Sequence, residues 1–286
     1  MKKLKPYVYL TPVLILLLGI FASGIVMGLL QSFGYFPTIG LTEFTLKYYL
    51  AVLQNSSFLD SLLFSFYIAF VSSVFAIILG VFLAYAIYKL KGKKAWVETI
   101  YQVPIAVPHI VSALLVYNIL SQTGIIPRIL YGIGLIDDLG QFPSLLYSEN
   151  GIGIILAYLW KEIPFVALTT YAILGNFSSQ LSDVAKNLGA SSRQAFFYII
   201  LPLLLPTILS TFVIIFAFSF GAYEVPLLLG PTSPRVLAVQ AYVEYTNPNF
   251  SNRPYAMVYN TLITVIALFL TWIYYKLFEK ATSYTR

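Results

Sequence analysis

The stretch Phe177–Pro206, FSSQLSDVAKNLGASSRQAFFYIILPLLLP, is a polar segment caught between two strongly apolar ones, and its reading decides the fold. Leu181, Val184, Ala185 and Leu188 recur at helical spacing and make a narrow apolar stripe on a short helix. Ser182 is placed to cap that helix, and Asp183 suits its positive N-terminal end. Gly189 follows the stripe directly, where a chain leaving a helix often needs a left-handed residue. A further piece of helix, Ser191 to Tyr198, brings in Phe196 and Phe197. Pro202 and Pro206 then open the next apolar run, with Pro202 near its first turn, where a missing N–H costs little. A short amphipathic helix of this kind suits a partner's groove.

The apolar flanks set the class. Of 286 residues 59% are hydrophobic and 10% charged, with a mean hydropathy of +0.83. Soluble domains carry roughly 25% charged residues, so the chain is expected to be an all-α integral membrane protein. The absence of cysteine excludes disulfides, thiolate metal sites and cysteine nucleophiles. No Pro/Gly/Ser-rich linker divides the chain, so residues 1–286 are expected to form a single membrane domain.

Lys2, Lys3 and Lys5 precede an apolar run from Tyr7 to Leu30. A signal peptide has a shorter apolar region, about 7–15 residues, so this run is read as a retained first transmembrane helix. Residues 31–59 suggest a short interfacial helix and a loop. The remaining apolar runs place helices at about 62–88, 100–120, 152–174, 203–229 and 256–278, with the polar loop at about 177–202. The third run holds Pro104, Pro108 and the single histidine, His109; prolines there predict a helix packed inside the bundle, where neighbours satisfy the freed carbonyls.

Orientation follows from the basic residues. With the N-terminus inside, the inner segments hold twelve (Lys2, Lys3, Lys5, Lys89, Lys91, Lys93, Lys94, Lys186, Arg193, Lys276, Lys280 and Arg286). The outer segments hold four, namely Lys47, Arg128, Arg235 and Arg253. This positive-inside bias predicts cytoplasmic N- and C-termini and a cytoplasmic loop between helices four and five. The net charge of +6 is thereby explained by topology, and nucleic acid is not an expected partner.

No enzyme motif is visible. KLKGKK contains Gly92-Lys93 but lacks the earlier glycine and the following Ser/Thr of a phosphate-binding loop. One histidine without cysteine does not make the common zinc sites, so no metal is expected. Charged and titratable residues inside spans default to functional candidates, and Glu162, Glu224 and His109 are the candidates for a translocation pathway. Lys161 and Glu162, in AYLWKEIPFVAL, read either as a mutual or interhelical pair or as pathway residues. Glu224 stands at the end of the fifth helix between Gly221 and Pro226, as at a loosened helix end; it either receives a cationic solute or faces water at the outer interface. His109 reads as a hydrogen-bonded packing residue or as a gating or proton-relay group. The 23 tyrosines and 22 phenylalanines belong mostly to interface belts and packing, with some suited to a cation-accepting path.

The polar loop resembles that of the permease subunits of binding-protein-dependent ABC importers, which has the form E-A-A, three residues, Gly, nine residues, I-x-L-P. The matching positions are Asp183-Val184-Ala185, Gly189, Ile199, Leu201 and Pro202, with every gap correct. Asp183 replaces Glu with a shorter acid, and Val184 replaces Ala. The resemblance implies a type I importer permease fold and a loop that couples to an ATPase through Asp183, Val184, Ala185, Leu188, Gly189, Ala190, Ile199, Leu201 and Pro202. It also implies two ABC ATPase subunits, a second permease (identical or sister) and an extracytoplasmic solute-binding protein as partners. This chain would bind no cofactor, with ATP and Mg held by the ATPase, and would sit among the lipids of the bacterial cytoplasmic (inner) membrane. FSFGAYEVPLLLGPTSPRVLAVQAYVEY (Phe218–Tyr245) and NRPYAM (Asn252–Met257) look like the spermidine/putrescine-type permeases and their relatives for iron, thiosulfate/sulfate and phosphonates. Asn187-Leu188 before the loop glycine, where sugar permeases place Ile-Asp, points the same way. The reading from another class is an ATPase-independent channel or secondary transporter, although no inverted repeat is evident.

Overall fold

A computed structural model describes residues 5–90 and 94–283. Eleven α-helical elements and three short 3-10 turns organise these residues. The first, α1, covers residues 5–32 and includes a π-helical stretch at Leu17–Ala22. It is followed by α2 (Lys47–Gln54), α3 (Ser56–Lys89), α4 (Lys94–Ala106), α5 (His109–Leu120) and α6 (Ile125–Gly132). Then come α7 (Ile152–Asn187), α8 (Ser192–Gly221), α9 (Glu224–Leu229), α10 (Leu237–Tyr245) and α11 (Arg253–Ser283). Among the described residues, six stretches are long and apolar enough to cross a membrane: Tyr9–Ser32, Ser56–Lys89, His109–Gly132, Ile152–Gly175, Ser192–Gly221 and Phe250–Lys276. The all-α membrane class expected from composition is therefore the class observed.

The chain interleaves two compact units, one of Met1–Asp60 with Leu237–Ile266, the other of Ser61–Val236 with Ala267–Arg286. In the first, the rings of Tyr48 and Tyr255 meet edge to face at 5.0 Å, and Ser32 shares a 2.8 Å hydrogen bond with the Tyr49 hydroxyl. The Arg253 guanidinium lies 3.8 Å from the Tyr245 ring centre, which draws the start of α11 onto α10.

The second unit carries the functional candidates. Its core joins α3 (Ala76, Val81, Ala84), α7 (Val166, Ala167, Leu174) and α8 (Leu204, Ile208, Ile215). What lets these helices approach is a stripe of small residues down α3: Ser61, Ser65, Ala69, Ser72, Ala76 and Ala84 are buried there. In a lipid environment close backbone approach is the main source of helix association, and small residues permit it. Gly80 marks the tightest point, since a Cβ there would stand 2.5 Å from the Cβ of Val166 and 2.9 Å from the Ile163 carbonyl oxygen.

Three helix boundaries depart from those read in the sequence. The fourth span does not stop at Leu174: α7, which already accommodates Pro164, continues to Asn187, because no proline or left-handed residue stands between Leu174 and Gly189. Ser182 therefore lies inside α7 and is no cap. The third run is two helices, α4 and α5, parted at Val107–Pro108, because proline disfavours helical geometry in the residue before it. α5 also buries one face only, through Ser112, Ala113 and Val116, while Ile110, Leu114 and Leu115 are exposed. The fifth span starts earlier and ends earlier, running Ser192–Gly221; Ala222 is extended, and Glu224 opens the separate α9.

Candidate functional site: an exposed elbow and a buried polar cavity

The elbow lies between α7 and α8. Gly189 adopts φ +92°, the amide of Ala190 donates to the Ala185 carbonyl at 3.0 Å, and that of Leu188 donates to Val184 at 3.1 Å. This is the Schellman arrangement, in which a left-handed residue just beyond the helix lets the chain reverse and satisfy its last carbonyls. A Cβ on Gly189 would meet nothing within 4 Å, so the glycine is required by backbone conformation and not by space. Two residues later α8 begins with a capping box. The Gln194 amide donates to Ser191 Oγ at 3.2 Å, and the Ser191 amide to Gln194 Oε1 at 2.8 Å. The S-x-x-Q signal for it stands in the sequence at Ser191–Gln194.

Of the expected apolar stripe, Ala185 is buried, but Val184 is 55% and Leu188 85% exposed. The side chains of Leu181 and Asp183 lie outside the described residues. Ile199 and Leu201 are half-buried and Pro202 is exposed. Pro202 is not at a helix start: α8 passes through it, and a π-helical turn at Phe196–Ile200 precedes it. A π turn is a common way for a helix to absorb a residue that cannot complete the regular ladder.

The cavity lies among α4, α5, α7 and α8. It has a volume of about 240 Å³ and is lined by His109, Tyr158, Lys161 and Glu162 with Phe165, Phe218 and aliphatic side chains. Lys161 and Glu162 are both buried, 9% and 5% exposed, yet they do not pair with each other. Consecutive helical residues diverge by about 100°. Lys161 turns to the helix break and donates to the Val107 carbonyl, while Glu162 Oε1 accepts from Ser219 of α8. The Pro108 break thus supplies a free carbonyl, and the lysine satisfies it. Glu162 Oε2 and the Tyr158 hydroxyl are buried without a hydrogen-bond partner. The His109 ring packs on Phe218 with centroids 4.5 Å apart. Tyr171 of α7 donates to Glu98 of α4 at 2.7 Å and holds α4 in place.

The structure thus brings His109 and Glu162 to one cavity and leaves Glu224, half-buried at the start of α9, outside its lining. Tyr158 and Ser219 were not singled out in the sequence, since buried hydroxyls carry no signal until a neighbouring helix shows what they face. Among the described residues, no cluster of three or more His, Cys, Asp or Glu is disposed to hold a metal ion.

The profile of the binding-protein-dependent transport system inner membrane component family matches residues 76–284, which include both the elbow and the cavity. The chain belongs to this family. Among relatives, the family resemblance extends to the inner membrane ABC transporter permease protein YdcU of Escherichia coli K12, 28% identical over 63% of this chain and 59% of YdcU. The spermidine/putrescine transport system permease protein PotC of the same organism is 29% identical over 82% of this chain and 77% of PotC. The probable sulfate transport system permease protein cysT of Marchantia polymorpha is 26% identical over 72% and 69%. In fold, the chain matches a crystal structure of a bacterial ABC transporter involved in the import of the acidic polysaccharide alginate, with a TM-score of 0.78. That match is at 22% identity and covers 96% of this chain and 98% of the other. Family membership and relatives agree with a multi-pass inner membrane permease subunit rather than an enzyme.

Proposed function

We propose that this chain forms the membrane pathway of an ATP-driven importer for a polyamine of the spermidine/putrescine type. In this reading both termini and the Gly189 elbow face the cytoplasm, as the basic residues suggest. The complex includes two ABC ATPases, one of them docked on this elbow, a second permease completes the pathway, and an extracytoplasmic binding protein delivers solute. The exposed Val184 and Leu188 are the apolar surface an ATPase groove would take. Because α7 runs unbroken from cavity to elbow, ATPase closure that tilts the elbow is transmitted as a rigid lever to the cavity walls. ATP and Mg belong to the ATPase in this scheme.

The observation that supports a polyamine is the cavity's chemistry. Glu162 Oε2 and the Tyr158 hydroxyl are buried without partners, and Phe165 and Phe218 add aromatic faces. A primary ammonium group offers three N–H donors to the carboxylate and is attracted by the rings. The PotC relation points to the same solute class. A sulfate reading is favoured by Lys161, which lines the same cavity, and by the cysT relatives; iron, thiosulfate and phosphonate are further solutes to screen.

The test is uptake by proteoliposomes holding the purified complex, with labelled spermidine and sulfate in parallel. Glu162→Gln should lower spermidine uptake about tenfold or more, the factor that roughly 1.4 kcal/mol of lost stabilisation produces, while Lys161→Met spares it. The reverse pattern, with sulfate carried, selects the anion reading. Uptake that persists when the ATPase is omitted overturns the importer mechanism in favour of a channel or secondary transporter.

A further inference from the structure

A groove separate from the translocation cavity runs between the Lys89 end of α3 and the first half of α8, with a volume of about 730 Å³. Its walls are apolar: Ile77, Ile78 and Phe82 of α3 face Leu205 and Ile208 of α8. Ile78, Phe82 and Leu205 are 58%, 70% and 44% exposed, so the walls open outward from the bundle. Its mouth is cationic, with Lys89, Ser192 and Arg193. Lys89 stands 4.4 Å from the Tyr85 ring centre and Arg193 5.9 Å from that of Phe197. Neither forms an ion pair with a carboxylate among the described residues.

We propose that this groove seats an anionic phospholipid, with its phosphate between Lys89 and Arg193 and an acyl chain along the Ile77–Phe82 wall. The dimensions agree. Twelve helical residues separate Ile77 from Lys89, about 18 Å of rise, close to one leaflet's half, about 15 Å, of the hydrocarbon core. Lys89 ends, and Arg193 begins, helices long enough to span; in the proposed topology both stand on the cytoplasmic side, where basic groups attract acidic lipids. A protein segment filling the same space would need an acidic group at the interface joined to an apolar strip reaching mid-membrane; a phospholipid has both in one molecule. Because Arg193 belongs to the first turn of α8, a bound headgroup braces the turn that leaves the elbow.

The experiment reconstitutes the purified permease complex in nanodiscs with trace photoactivatable lipid carrying a diazirine on its acyl chain. The headgroup is phosphatidylglycerol in one sample and phosphatidylcholine in the other. The wild-type chain should cross-link the glycerol lipid at residues 77–82 and 205–208 roughly tenfold more than the choline lipid, and high salt should reduce the difference. The double variant Lys89→Gln/Arg193→Gln should lose that preference. Equal labelling by the two lipids overturns the proposal without any variant. So does unchanged labelling of the double variant, or cross-linking of the groove to another subunit through Phe82→Cys, the sole thiol in a chain that has no cysteine.

Discussion

The cavity at Glu162 lies along α7 and the elbow at Gly189 just past the end of that helix, about 40 Å away along its axis, and they are built by opposite means. The elbow is local: one left-handed glycine, one capping box and short backbone hydrogen bonds within ten residues. It leaves apolar side chains exposed, and a Cβ on its glycine would touch nothing. The cavity is wholly tertiary. Its polar atoms come from α7, α5 and α8, and its Lys161 is satisfied by a carbonyl more than fifty residues earlier in the chain. In the proposed function the elbow is gripped by an ATPase, and such a role requires that its surface stay free. A polar site at membrane depth must instead be closed by neighbouring helices, because lipid offers no hydrogen bonds.

That difference predicts how each region breaks. Gly80→Val should have the largest effect on stability, because its added atoms would overlap Val166 and the Ile163 carbonyl where α3 crosses α7. Overpacking typically costs about 1–3 kcal/mol and here involves backbone, so the upper end is expected. Thermal unfolding in detergent should show a clear drop with loss of uptake, and a Tm equal to wild type would refute the close crossing.

At Gly189 the penalty is conformational. A branched side chain held at φ +92° costs about 1–2 kcal/mol. Gly189→Val should therefore reduce ATP-coupled uptake severalfold while the permease unfolds at nearly its normal temperature. Gly189→Asn should recover most of the activity, since asparagine tolerates that region. Equal loss in both variants would mean that the side chain, not the backbone, is what the ATPase reads.

The smallest effect is expected at Ser191→Ala, which removes the cap on α8 and costs about 1 kcal/mol. Hydrogen exchange should report it as faster opening of residues 192–196, with the cavity amides unmoved. Faster exchange around Glu162 as well would show that elbow and cavity open as one cooperative unit.

The elbow was legible because each of its parts has a residue-type signal at fixed spacing. Gly189 just past the helix is readable in one dimension, and the S-x-x-Q signal at Ser191–Gln194 stands there too, whereas Pro202, expected near a helix's first turn, lies inside α8. What misled was the assumption that polarity ends a membrane helix: α7 carries on to Asn187, since helix termination needs a breaker and not a change of solvent. At the cavity the sequence marked Lys161, Glu162 and His109 as costly in a membrane, but left open whether the first two pair. The answer turned on Pro108 freeing the Val107 carbonyl and on Ser219 facing Glu162.

Composition and hydrophobic run length alone determined that this is an all-α membrane protein with six spans, since burial of backbone polar groups in lipid leaves few other solutions. The spacing around Gly189 pointed to the family that the match over residues 76–284 shows. Only tertiary structure decided where α4 and α5 part and how tightly Gly80 lets α3 meet α7. It alone decided which polar atoms close on one cavity. Those outcomes depend on contacts between residues distant in sequence, and a one-dimensional pattern carries the price of burying a charge but not the identity of the group that offsets it.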